Sequence, residues 1–129
     1  SVPVPEGFAQ VEEEEKIFFA LSPEGFRYQV RLEKNYPPQR GEFWKETLLN
    51  QLSREGYILV EGPLALSRKD LQGFVLVWGV PYRNETYAYL TGVITSEDTL
   101  AIAEAAGPYS LYREYREAIL ESLEKVLMK

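Results

Sequence analysis

Residues 26–34 alternate strictly. Phe26, Tyr28, Val30 and Leu32 share one parity, and Arg27, Gln29, Arg31 and Glu33 share the other. A period of two with one apolar and one polar side predicts a strand with one buried and one wet face. The wet face places it toward the side of its sheet. The run "KIFFALS" (16–22) predicts a strand before it. Between them lies "PEG", where Pro23 presets a turn and Gly25 supplies a permissive backbone, so the two strands form a hairpin. The acidic run at 12–15 leads into this hairpin and reads as a solvated stretch. It lacks the spaced oxygen ligands and turn glycine of a calcium loop.

The period then changes. "NYPPQRG" (35–41) cannot continue a strand, because two prolines remove backbone donors. Over 42–56, Trp44, Leu48 and Leu52 recur at intervals of four and Leu49 widens the stripe, which predicts an amphipathic helix ended by Gly56. Residues 57–66 predict a strand broken at Gly62–Pro63 by a bulge or bend. A polar connection at 67–73 leads to strands at 74–83 and 86–95, joined by a turn at 83–86. Both carry apolar residues on both parities, so both faces need cover. Gly79 and Gly92 within them mark a bulge or close packing by a helix. Asn84, in an Asn-Glu-Thr glycosylation sequon, serves the turn by tolerating positive φ.

The segment "TLAIAEAAG" (99–107) supports two readings. Its alanines favour helix, whereas its short length after a hairpin-like turn favours strand, which is the assignment adopted. Residues 110–127 predict a long helix with Leu111, Tyr115, Ile119, Leu123 and Val126 on one stripe. The element order is ββαββββα. It predicts an α+β domain with an antiparallel sheet of about six strands and two helices. Helices on opposite faces would make an α/β/α sandwich, and helices on one face a two-layer packing. Residues 1–10, punctuated by prolines, read as an extended tether ahead of a single domain at 11–129.

Composition narrows the chemistry. With 14 basic and 20 acidic side chains the formal charge is −6, and no dense Lys/Arg run exists, so nucleic acid is not an expected partner. The chain has no Cys and no His. Disulfides, thiol catalysis, zinc sites of the Cys/His kind and imidazole-based triads are therefore excluded. No apolar run is long enough to span a bilayer as a helix, and no phosphate-binding, dinucleotide-binding or nucleophile-elbow motif occurs. No cofactor or metal is expected.

The order of elements resembles the PsbP-like fold. That fold is shared by the extrinsic subunit P of photosystem II, small nuclear-import cofactors and bacterial envelope lipoproteins. The matching stretches are "FFALSPEGFRYQV", "FWKETLLNQLSREGYIL" and "YAYLTGVITSEDTLAIAEAAGPYSLYREYREAILESL". The resemblance covers most of residues 16–127 and lies in topology and spacing. It implies a non-catalytic accessory or interaction protein. A bacterial lipoprotein freed of an upstream anchor, in the envelope or periplasm, would suit the Ser1 start, with a cytoplasmic protein as the alternative.

Three sets of residues are candidates for function. Tyr109, Tyr112 and Tyr115, with Glu104, are the expected surface for a protein partner, since tyrosines combine large area with a polar tip. Glu104 shares parity with Leu100 and Ile102. It is expected to pair with Arg113, Arg116 or a tyrosine of the last helix, because an unpaired buried carboxylate is costly. The alternative is a binder of small apolar ligands between the sheet and the last helix, lined by Trp78, Tyr87 and Tyr89. A carboxylate-dependent hydrolase, joining Glu61 or Asp98 to Glu104, is the third.

Overall fold

The computed structural model describes residues 2–14, 16–36, 38–68 and 71–126, with the side chains of residues 12–14 and 67–68 outside that description. The expected solvated role of the acidic run at 12–15 and the tip of the polar connection at 69–70 therefore lie outside the described residues. In chain order the elements are β1 (Ala9–Glu14), β2 (Ile17–Leu21), β3 (Arg27–Lys34), α1 (Gly41–Arg54), β4 (Ile58–Arg68), β5 (Leu71–Tyr82), β6 (Glu85–Thr95), β7 (Thr99–Pro108) and α2 (Tyr109–Glu124). The α+β class and the antiparallel sheet stand. The sheet has seven strands in the order β1-β2-β3-β7-β6-β5-β4, one more than expected. The addition is β1, which pairs with β2. Of the tether expected over residues 1–10, the described residues 2–8 are instead docked and residues 9–10 open β1. Phe8 packs edge-on against Phe26, Tyr28 and Tyr115, and Ser122 Oγ donates to the Pro3 carbonyl at 2.6 Å.

The segment 99–107 is a strand, and it lies at the centre of the sheet. β7 pairs with β3 on one side and β6 on the other. It therefore joins the N-terminal meander β1-β2-β3 to the meander β6-β5-β4. Its alternation divides the core. Ala101, Ala103 and Ala105 are buried with Tyr112, Tyr115, Ile119, Leu123 and Val126 beneath α2. Leu100 and Ile102 face the other way, toward Trp44, Leu48 and Leu52 of α1. The two helices thus cover opposite faces, giving an α/β/α sandwich. Gly107 continues the small row, and a side chain there would collide with the Phe26 ring.

Local chemistry sets the connections. Arg83 and Asn84 have φ of 49° and 65°, the paired positive values of a two-residue hairpin turn. Gly25 takes φ 92° in the β2–β3 turn, where Ser22 accepts from Gly25 N–H and its hydroxyl accepts from Phe26 N–H. The register of β4 on β5 shifts twice around Gly62, as the Gly62–Pro63 break predicts. Gly79 and Gly92 sit in uninterrupted β5–β6 register, so they mark no bulge there. No described helix is long and apolar enough to cross a membrane.

The approach to α1 depends on one buried amide. Asn35 Nδ2 donates to the carbonyls of Gln39 (2.9 Å) and Ser96 (3.3 Å), while its Oδ1 accepts from Gln39 N–H at 3.0 Å. Its own backbone N–H donates to the Asp98 carbonyl. One side chain therefore ties the loop before α1 to the β6–β7 turn. Asn35→Ala, which leaves these partners unsatisfied, is expected to cost about 3 kcal/mol in urea unfolding. A loss below about 0.5 kcal/mol would mean that water replaces the amide without penalty.

Candidate functional site: a cleft between the sheet and the first helix

α1 packs over β4, β5 and β6. On that face α1 reaches β7 at Leu100 and Ile102, and beyond them, toward Glu104 and β3, a cleft opens. Its volume is about 850 Å³. Its floor carries Thr91 and Val93 of β6 and Leu100, Ile102 and Glu104 of β7, and Arg31 and Glu33 of β3 form one rim. Trp44, Leu48 and Leu52 of α1 form the facing wall, and Tyr57, Tyr82, Tyr87 and Tyr89 gather at one end. The rings of Tyr57 and Tyr89 meet edge-to-face at 5.8 Å, and those of Tyr82 and Tyr87 at 5.2 Å. The wall residue Trp44 carries a buried indole N–H with no hydrogen-bond partner among the described residues. Such a group costs about 1–3 kcal/mol.

Glu104 lies at the polar centre of this floor. The register sets Gln29 and Thr91 directly opposite it on β3 and β6, with Arg31 and Tyr89 on the diagonals. Diagonal neighbours lie within reach of long side chains. Arg31 donates to Glu104 Oε1 at 3.0 Å, and the Tyr89 hydroxyl donates to Oε2. Burial first, and then the bond to Glu104, push the Tyr89 hydroxyl well above the usual tyrosine range, so it stays protonated as a donor. Arg31 also pairs with Glu33 at 3.4 Å. The Glu104 side chain is 33% exposed. It is a half-wet, Arg-paired carboxylate, set in mid-strand.

Several sequence expectations change at this point. The partners expected for Glu104 on the last helix are wrong in face: Glu104 points to the α1 side, and α2 lies on the other. The side chains that meet it are on β3 and β6, because β7 inserts between those strands. The expected surface of Tyr109, Tyr112, Tyr115 and Glu104 does not form as one patch. Tyr112 and Tyr115 are core residues, 2% and 9% exposed, and only Tyr109 reaches the surface. The cavity expected against the last helix lies against the first. Tyr87 and Tyr89 do line it. Trp78 does not. It is fully buried beneath α1, with its indole N–H donating to Thr91 Oγ1 at 3.2 Å. Among the cleft residues that sequence reasoning gave no functional role are Arg31, Trp44, Tyr57 and Tyr82. Arg31 and Trp44 carried a signal, as members of a wet strand face and a helix stripe, but nothing local joined them.

The pairings of carboxylates expected for hydrolysis also separate. Glu61 faces α2, on the opposite side of the sheet from Glu104. Asp98 precedes Glu104 by six residues of extended chain, about 20 Å. Glu61 is occupied. Arg116 donates to both of its oxygens, at 3.1 and 2.9 Å from Nε and by a further bond from the terminal guanidinium, and the Tyr112 hydroxyl donates to Oε1 at 2.7 Å. The Arg116 bonds hold the Glu61 carboxyl below its ordinary value of 4.5, against the opposing effect of burial.

Comparison with protein-family models gives no match, and comparison with curated protein sequences gives none.

The Glu61 cluster sets a pH dependence with a definite sign. A carboxyl whose folded pKa is depressed stabilises the protein above its unfolded value and loses that contribution as pH falls through the folded one. Glu61→Gln is therefore expected to lower stability by about 2 kcal/mol at neutral pH. Its deficit relative to the parent protein should shrink steadily below the ordinary value of 4.5. Urea unfolding of both proteins across acidic pH measures this. A deficit that stays constant down the titration would mean that the carboxylate charge contributes nothing.

Proposed function

We propose that the protein is a non-catalytic binding module whose cleft beside α1 holds a small amphipathic molecule. The observation that carries this reading is the cleft itself. Its volume of about 850 Å³ falls within the range of small-molecule sites. Its lining combines apolar and aromatic side chains with a few convergent polar groups, which is the composition of such sites. The apolar body of a ligand would lie along Leu48, Leu52, Leu100 and Ile102, and its polar end would meet Glu104, Arg31 and Tyr89. A non-catalytic binding role is also what the resemblance to the PsbP-like fold implies. The partner surface expected at the start of the last helix has less support, since Tyr112 and Tyr115 contribute to the core.

The test uses an uncharged fluorescent reporter, N-phenyl-1-naphthylamine, whose emission rises in apolar surroundings. Saturable binding of one molecule per chain is expected. Leu48→Trp enlarges a residue of the cleft wall without adding charge. It is expected to weaken binding about tenfold while circular dichroism and the unfolding midpoint stay close to those of the parent. A signal that never saturates, or that Leu48→Trp leaves untouched, would remove the cleft as the binding site.

A further inference from the structure

The charges around the cleft specify the head group. We infer that the ligand is an organic cation, an ammonium or guanidinium head on an apolar body, with Glu104 as its counter-ion; this rests on the cleft being a small-molecule site. Among the described residues, three carboxylates line the cleft, Glu33, Glu55 and Glu104, against two cations, Arg31 and Lys34. Arg31, the guanidinium nearest the floor, is held between Glu33 and Glu104. An anion brought to Arg31 would meet both of these carboxylates. A cation brought to Glu104 would meet a carboxylate that still has acceptor capacity. Among the described residues, each Glu104 oxygen takes one donor, Arg31 on Oε1 and Tyr89 on Oε2. An ionised carboxylate offers about four lone-pair sites, so about two remain.

The aromatic end of the cleft favours the same charge. Tyr57, Tyr82, Tyr87 and Tyr89 lie together there, and a cation gains from the face of an aromatic ring as well as from a carboxylate. The Tyr82 ring already takes one such partner from the chain itself, with the Arg83 guanidinium 5.2 Å from its centroid. The formal charge of −6 adds a general attraction of the same sign, although it selects no site.

Three probes with one tail separate the head group from the body: decylammonium, decan-1-ol and decanoate. Each is titrated to displace N-phenyl-1-naphthylamine at neutral pH, below its micellar concentration. Decylammonium is expected to displace the reporter about tenfold or more better than decanoate, with decanol between. Glu104→Gln should remove most of the decylammonium advantage and leave decanol unchanged. Arg31→Gln frees one lone pair of Glu104 and should strengthen decylammonium binding severalfold. The probe series on the parent protein and on Arg31→Gln decides the matter even if Glu104→Gln folds poorly. Decanoate binding as tightly as decylammonium would overturn the cation inference and leave the cleft standing. So would an ammonium preference that survives Glu104→Gln, since it would reflect overall charge. A reporter that does not bind at all would remove the cleft and the inference together.

Discussion

The structure depends on where the last strand goes. β7 is the final strand made, yet it lies at the centre of the sheet, hydrogen-bonded to β3 and β6. Without it the sheet would be two separate three-stranded meanders, each with a raw edge of unpaired backbone groups. Its side chains are matched to this position. Alanines and a glycine on one parity let α2 and the Phe26 ring come close, so that Ile119, Leu123 and Val126 fill the space above them. A larger side chain in that row would lift the helix or displace the ring, since interiors at crystal-like density have no slack.

The opposite parity of the same strand meets a different cover. α2 is continued by the docked residues 2–8, and together they bury the face beneath them, including Tyr28, whose hydroxyl bonds to Ser122. α1 stands alone over β4, β5 and β6. The exposed remainder, on β3 and β7, is where the charged residues of both strands lie. Glu104 could not sit on the α2 face without a partner as costly to bury as itself. At the cleft it shares a half-solvated site with Arg31 and a protonated tyrosine. The cleft and its polar centre thus follow from one asymmetry, a sheet wider than the single helix on that side.

Most elements were legible because their periodicity is written in contiguous residues. The alternation of 26–34, the four-residue spacing of Trp44, Leu48 and Leu52, and the stripe from Leu111 to Leu123 each needed no distant information, although the helix expected over 110–127 ends at Glu124. β1 was missed because its glutamates suppress the apolar alternation that marks a strand. Phe8 was missed because Pro3 and Pro5 precede it and a tether has the same composition as a docked strap. Tyr112 and Tyr115 were assigned to a surface because tyrosine suits core margins and interfaces equally well. Their hydroxyls reach Glu61 and Glu24 at the margin while their rings stay in the core.

The sequence by itself determined the segments, the parity within each strand and the absence of imidazole and thiol chemistry. It separated Leu100, Ile102 and Glu104 from the three alanines of the same strand, and it required that the carboxylate find a partner. Only the tertiary structure decided which helix covers which parity, and so which partner Glu104 takes. Arg31 and Glu104 are 73 residues apart, and no local pattern joins them. They meet because β7 inserts beside β3, a choice made by the packing of whole faces.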